Sequence, residues 1–198
     1  MSDSPNAYSP AQKTLHWTMA IIIVSMVPVG ILMADVLSDG AVKNTLYELH
    51  KSFGIIVFGL ALIRIVLRLA RGAPPLVPGL PGWQRAAAYG SHYAMYILVV
   101  VVPLAGWAAT SACCGPVNVF WTLPVTLPVG GGMERAEPIF AVHRALALTL
   151  AGIVVIHASA ALHHHVVRRD STLRRMLPGA LGRGNGKQVR VADDAGGA

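Results

Sequence analysis

The stretch AVHRALALTLAGIVVIHASAALHHH, residues 141–165, decides how this chain folds. It is long enough to cross a bilayer as a helix, and Arg144 is its only Lys, Arg, Asp or Glu. His143 and His157 lie 14 residues apart in it, which returns to within about 40° of the same helix face after a rise of roughly 21 Å. Burying an imidazole in such a helix is costly unless it has a partner. The stretch therefore predicts a membrane helix with two buried polar sites at different depths.

Three further apolar stretches precede this one, so the predicted spans are about 16–36, 49–69, 90–111 and 142–165. Apolar residues make up 54% of the 198 residues and charged residues only 13%, a composition typical of membrane proteins. The first stretch is uncharged from Thr14 to Ala34, too long for the core of a signal peptide. The sequence predicts an all-α, four-helix transmembrane bundle over residues 1–178. Residues 179–198 are predicted to be a basic, disordered tail.

The distribution of Lys and Arg predicts the orientation of the bundle. Basic residues are concentrated between spans two and three and after span four, at Arg68, Arg71, Arg85, Arg168, Arg169, Arg174, Arg175, Arg183, Lys187 and Arg190. The positive-inside rule then places both termini in the cytoplasm. The net charge of +7 follows from this topology, and nucleic-acid binding is not expected.

Two more histidines complete a pattern of pairs. His16 begins the first span and His50 the second. With both termini inside, His16 and His157 lie at the inner depth, and His50 and His143 lie at the outer depth. Two such pairs predict two metal sites, most simply two haem irons, and the absence of a Cys-x-x-Cys-His motif makes these haems b-type.

Three alternatives to haem remain open for the histidines. Single histidines can cap helices at the interface, and a zinc ion is a second metal to consider, although zinc usually takes four ligands at one depth. A histidine-lined metal or proton carrier is a third class, but no intramembrane Asp or Glu supports it.

Three further residues are candidates for cofactor contacts. Arg64 lies 14 residues after His50, on the same face but at inner depth, where it could bind a haem propionate or snorkel to the surface. His164 lies seven residues after His157 and could donate a proton or a hydrogen bond to a quinone. His92 is a second candidate for that quinone region.

The connection between spans three and four is expected to fold over the bundle. It is rich in Gly and Pro, and no charged residue occurs from Ala86 to Met133. Cys113 and Cys114 are neighbours here, and because a disulfide between neighbours needs a strained ring, no bridge is predicted.

The chain resembles the bacterial cytochrome b561 family of diheme membrane proteins over about residues 8–178. The matching motifs are Leu-His-Trp at 15–17, Leu-His-Lys-Ser-Phe-Gly at 49–54, Ile-Arg-Ile-Val-Leu-Arg-Leu at 63–69, Val-His at 142–143, His-Ala-Ser-Ala-Ala-Leu at 157–162, Arg-Asp-Ser-Thr-Leu at 169–173 and Arg-Met-Leu-Pro at 175–178. The resemblance implies that His16, His50, His143 and His157 hold two b haems. One branch of the family is a superoxide oxidase that passes electrons to ubiquinone, and the counterpart of His164 there is associated with the quinone site. The loop at 111–140 departs from the family pattern.

The resemblance implies an enzyme of a bacterial inner membrane, a superoxide:ubiquinone oxidoreductase in contact with membrane lipid. Superoxide is an anion, so basic residues near the outer haem would speed its capture, and the candidates are Lys43, Arg135 and Arg144. The alternative is a cytochrome b electron-transfer subunit that serves a periplasmic partner of the hydrogenase or formate-dehydrogenase type.

Overall fold

The computed structural model describes residues 7–178, and in this range four helices are long and apolar enough to cross a membrane. They are α1 (Pro10–Ile31, continued by a π-helical turn over Leu32–Val36), α2 (Ala41–Arg71), α3 (Gly82–Cys113) and α4 (Gly132–Val166). The predicted four-span helical fold is therefore confirmed. Each helix extends beyond its predicted span because hydropathy marks only the apolar part of a helix, while polar turns continue it. The predicted tail at 179–198 lies outside the described residues.

Local sequence accounts for where the helices begin and end. Ser9 caps α1 in a capping box with Gln12, and Pro10 occupies the first helical position, where its missing N–H costs nothing. α2 ends at Gly72, whose φ of +67° favours glycine. The Pro74-Pro75 pair follows at once, so the chain cannot continue as a helix.

The helices form a ring in which α3 packs along both α2 and α4, and α1 packs along α2 and touches α4. α2 and α4 consequently face each other across the diagonal. Buried apolar residues fill the middle of this ring: Met19, Ala61, Leu98, Val99, Val102 and Leu150. Leu150 lies midway between His143 and His157, so an apolar layer separates the two levels at which histidines occur.

A short antiparallel hairpin covers one end of the bundle, which we call the hairpin end. Its strands are β1 (Val117–Val119) and β2 (Leu123–Val125), with Val117 paired to Val125. The Phe120 N–H donates to Ser52 Oγ of α2 at 2.8 Å, and the rings of Phe120 and Phe53 lie 5.4 Å apart. This packing confirms that the loop folds onto the bundle.

The prediction of no bridge between the two cysteines is wrong, because Cys113 and Cys114 form a disulfide. α3 ends between them: Cys113 is its last residue, and Cys114 leaves the helical conformation with φ −127°. Within a regular helix, neighbouring side chains diverge by about 100°. The departure of the backbone at Cys114 removes that divergence, so the two sulfurs can meet.

The last described residues close the opposite end, which we call the terminus end. After α4 the chain turns back toward α1, where Trp17 Nε1 donates to the Met176 carbonyl at 2.8 Å. Arg175 donates to the Pro75 carbonyl at 2.6 Å. These two bonds hold residues 167–178 against α1 and against the connection between α2 and α3.

Candidate functional site

The hairpin end contains the first histidine pair. His50 on α2 and His143 on α4 face each other across the diagonal, with ring centroids 6.2 Å apart. His143 Nδ1 lies 2.9 Å from the Val102 carbonyl. Since a carbonyl only accepts, Nδ1 carries the proton and Nε2 keeps its lone pair for a metal. His50 Nδ1 is buried and has no hydrogen-bond partner among residues 7–178.

Two glycines bring neighbouring helices against these rings. A Cβ added at Gly106 of α3 would lie 3.0 Å from His143 Cε1, and one added at Gly30 of α1 would lie 3.3 Å from His50 Cε1. Sequence reasoning missed both positions, because a glycine in an apolar helix carries no sign of what packs against it.

The second pair lies toward the terminus end. The rings of His16 on α1 and His157 on α4 are 6.4 Å apart. His92 of α3 lies beside them, 5.3 Å from His157. Arg64 Nη1 donates to the Gln12 carbonyl at 3.4 Å, one helical turn before His16 on α1, so Arg64 lies near this level. The structure thus brings together both histidine pairs expected from depth.

The spacing within each pair fits one metal ion between two imidazoles. Metal–nitrogen bonds are about 2 Å long, and a ring centre lies roughly 1 Å behind its nitrogen, so two facing ligands have centres about 6 Å apart. No cluster of three or more His, Cys, Asp or Glu suited to a metal occurs in the described part of the chain. Two protein ligands per ion suit an iron whose other positions are filled by a porphyrin, and they do not suit tetrahedral zinc.

An apolar groove lies next to His50, and its side chains are of the kind that would contact a porphyrin edge. It measures about 310 Å³ and lies between α1 and α2. The one hydroxyl in its wall, on Ser25, donates to the Ile21 carbonyl of its own helix. The lining residues are Ile21, Ile22, Ser25, Met26, Val29, Leu46, Leu49, His50 and Phe53.

The terminus end offers donors for an anionic group instead. Arg64 and Arg68 line a small cavity with Tyr8, Gln12, Tyr96 and Met176. Arg68 Nη1 is buried without a partner among residues 7–178, and Arg64 lies 5.9 Å from the centre of the Tyr96 ring. Burial raises the pKa of Tyr8, although the charge of Arg68 opposes the shift. Two guanidinium groups with spare donors suit a carboxylate such as a haem propionate. Sequence reasoning missed Arg68 as a candidate site residue, because an arginine at this end of a span is already expected from the positive-inside rule.

His164 is held by an acid that the sequence did not single out. Its Nδ1 lies 2.5 Å from Asp170 Oδ2, and its side chain is only 15% exposed. Burial by itself would raise the pKa of Asp170, but hydrogen bonds from His164 and Thr172 outweigh it and lower that pKa. Asp170 lies past the last span in a basic segment, where an acid looks like a surface charge. His164 is therefore positioned as a donor or acceptor at the terminus end.

The basic residues at the hairpin end are mostly paired with acids. Lys43 binds Asp39 at 3.0 Å, and Arg144 binds Asp35 through two bonds of 2.9 Å. These pairs leave less positive charge for attracting an anion than the sequence suggested.

A helical membrane bundle with two facing pairs of half-buried histidines is typical of one class of protein, the haem-carrying membrane electron carriers. The family model for prokaryotic cytochrome b561 matches residues 7–179, and the chain belongs to this family. It is a multi-pass membrane protein and a b-type cytochrome that functions in electron transfer.

Three relatives have similar length. Cytochrome b561 homolog 2 of Escherichia coli (strain K12) is 31% identical over 89% of this chain and 94% of its own length. Cytochrome b561 homolog 1 of the same organism is 30% identical over 87% of this chain and 98% of its own. A protein named probable superoxide oxidase CybB, from Yersinia pestis, is 27% identical over 86% of this chain and 96% of its own.

Proposed function

We propose that this protein holds two b haems, one on His50 and His143 and one on His16 and His157, and carries electrons between the two membrane faces. The observation that carries the proposal is the presence of two matched imidazole pairs at opposite levels of one bundle, 6.2 Å and 6.4 Å apart. When bound, each haem supplies a one-electron redox centre.

The chain's own residues set the conditions for this transfer. His50 with His143, and His16 with His157, would each hold one haem, and a haem held by two imidazoles would carry electrons and would not bind dioxygen. The buried layer that contains Met19, Ala61 and Leu150 excludes water between the two levels. At the terminus end, Arg64 and Arg68 would neutralise the propionates, and their charge would be satisfied in turn.

The donor we propose is superoxide, arriving at the hairpin end, and the acceptor is ubiquinone. Two superoxide ions give up one electron each and leave as dioxygen, while ubiquinone takes both electrons and two protons. The printed name of the Yersinia pestis relative supports this assignment. The excess of Lys and Arg at the other end supports an inner-membrane orientation with the hairpin end outside.

His164 is proposed to serve the quinone. Its ring is half-buried, and Asp170 fixes its orientation by accepting from Nδ1, so Nε2 can point to a quinone carbonyl and deliver a proton. His92 lies against His157, beside the proposed haem at this level, and is proposed to line the quinone region.

The proposal is tested by pulsed superoxide with purified, haem-loaded protein and ubiquinone. Haem reduction close to the diffusion limit, followed by quinol formation, is the expected result. His164→Ala should keep both haems and slow only quinol formation. If superoxide disappears no faster than in buffer, superoxide is not the donor. A periplasmic dehydrogenase that co-purifies in stoichiometric amount would then favour the electron-transfer subunit.

A further inference from the structure

The Cys113–Cys114 bridge has no part in the electron path described above. It closes the end of α3 at the hairpin end of the bundle. Cys114 is exposed and Cys113 is half-buried, so a reagent in solution would approach the bridge from the side of Cys114. A disulfide with one accessible sulfur can exchange with a thiolate.

The bridge is connected to the histidine pair through α3. Gly106 of α3 lies directly against the His143 ring. Cys113 follows it by seven residues, which on a helix returns to within about 20° of the same face and rises roughly 10 Å. The disulfide therefore lies about two helical turns beyond the His50–His143 pair, on the same side of α3.

The bridge also controls how the chain enters the hairpin. Gly115 follows it with φ +86°, and β1 begins two residues later with Val117, which is 1% exposed. The hairpin then continues to the Phe120–Ser52 hydrogen bond on α2. With the two sulfurs joined, the direction of the chain leaving α3 is restricted, and the restriction falls directly before the segment that packs beside His50.

We propose that Cys113–Cys114 is a thiol–disulfide exchange site for a dithiol reductant, and that its reduction loosens the hairpin beside the His50–His143 pair. A thiolate of the reductant attacks Sγ of Cys114, the S–S bond breaks, and Cys113 leaves as a thiolate that takes up a proton. The second thiol of the reductant then releases Cys114 as a thiol. In total, the reductant loses two electrons and two protons, and the bridge gains them. The exchange requires neither superoxide nor quinone.

Thiol counting on the haem-loaded protein in detergent tests the exchange. The chain has only two cysteines, so every maleimide label reports on this pair. Dithiothreitol is the reductant, followed by an acid quench and labelling. We expect no label before reduction and two labels after it. Two labels without reductant, or no label after treatment of the folded protein when the denatured protein takes two, would overturn the proposal.

Hydrogen exchange over residues 117–125 tests the consequence. Reduction should accelerate exchange of the Phe120 amide by about tenfold or more. The Cys113→Ser/Cys114→Ser double variant is the control, because it meets the same dithiothreitol but has no bridge. The hydrogen exchange rate of this variant should equal that of the reduced wild type, both with and without reductant. Its haem absorption shows that it is folded. Equal exchange in the oxidised and reduced wild type would refute the loosening of the hairpin.

Discussion

At the scale of single residues, Gly106 is the position at which the hairpin-end histidine pair is most constrained. An added Cβ would lie 3.0 Å from both Cε1 and Nδ1 of His143, closer than these atoms can approach without a shift. Gly106 therefore allows α3 to approach α4 at the level of His143. The ring has little freedom to move, since its Nδ1 is bound to the Val102 carbonyl.

Gly106→Ala is expected to displace the His143 ring and weaken haem retention at this site by about 1–3 kcal/mol, the usual cost of overpacking. The measurement is haem per chain by pyridine haemochrome after extended dialysis. Gly59→Ala is the matched control, because nothing lies within 4 Å of a Cβ added there. Equal haem loss in both variants would contradict the packing argument.

Asp170→Asn should slow quinol formation by about tenfold or more, because general acid catalysis contributes about 100-fold or more and needs an oriented imidazole. The folded pKa of Asp170 is lowered, so the carboxylate contact is complete above about pH 4 and is lost only as the pH falls through that lowered value. The wild-type contact should thus persist through neutral pH.

The check is a pH profile of quinol formation between pH 5 and 8, with haem content measured alongside. Asp39→Asn is the control, since Asp39 is an exposed partner of Lys43 at the other end. A profile of Asp170→Asn that overlies the wild type would remove Asp170 from the positioning of His164.

The residues recovered from sequence were those whose burial is costly. Four imidazoles in apolar helices demand partners, and their depths are enough to predict the pairs that the structure brings together. Gly30 and Gly106 could not be found this way, because what matters about them is an absent side chain. Arg68 and Asp170 escaped notice because charges near a membrane surface are expected whatever they bind.

At the scale of elements, the hairpin depends on a side chain from another part of the chain. Phe120 and Trp121 have φ of +47° and +61°, in the left-handed region that bulky residues rarely adopt, at a cost of about 1–3 kcal/mol each. The Ser52 hydroxyl accepts from Phe120 N–H at 2.8 Å and donates to the Glu48 carbonyl at 2.8 Å. Its burial is complete, so water cannot replace it.

Ser52→Ala should cost about 1–3 kcal/mol, because the Phe120 N–H loses its buried partner. Faster hydrogen exchange over 117–125 is the expected readout, together with a lower midpoint of thermal unfolding. Ser25→Ala is the control, since the Ser25 hydroxyl bonds only within its own helix. Unchanged exchange in Ser52→Ala would mean that the strands alone stabilise the turn.

The four helices were predictable and the hairpin was not. Long apolar stretches bounded by Pro and Gly leave little choice but a helix in a membrane. The alternation of apolar and polar residues after α3 covers only Val117-Asn118-Val119, which is too short to predict a strand, and the turn uses two aromatics where Asn or Gly is usual. The bridge was mispredicted because neighbouring cysteines diverge only while both belong to one regular element, whereas the helix ends between Cys113 and Cys114.

At the scale of the whole molecule, the two histidine pairs should behave independently. The apolar layer around Leu150 separates them, and sites far apart without shared partners usually act additively. His143→Ala should therefore lose one haem and keep the other, and His16→Ala should do the same for the other level.

A reduced-minus-oxidised spectrum with haem quantified per chain measures this outcome. Two low-spin b haems are expected in the wild type and one in each single variant. Retention of both haems in His143→Ala would refute the pairing. If His16→Ala and His143→Ala each lost both haems while the protein still migrated as a folded species, the two levels would be coupled.

Both pairs share one helix, and this has a consequence for biogenesis. His16 and His50 emerge early from the ribosome, but their partners His157 and His143 both belong to α4, the last of the four described spans to be made. A nascent chain that has inserted three spans has half of each ligand set and no complete one. Haem capture by the proposed pairs would then have to await the synthesis of α4, and a ribosome stalled before α4 would leave a membrane-inserted product that binds no haem at either level.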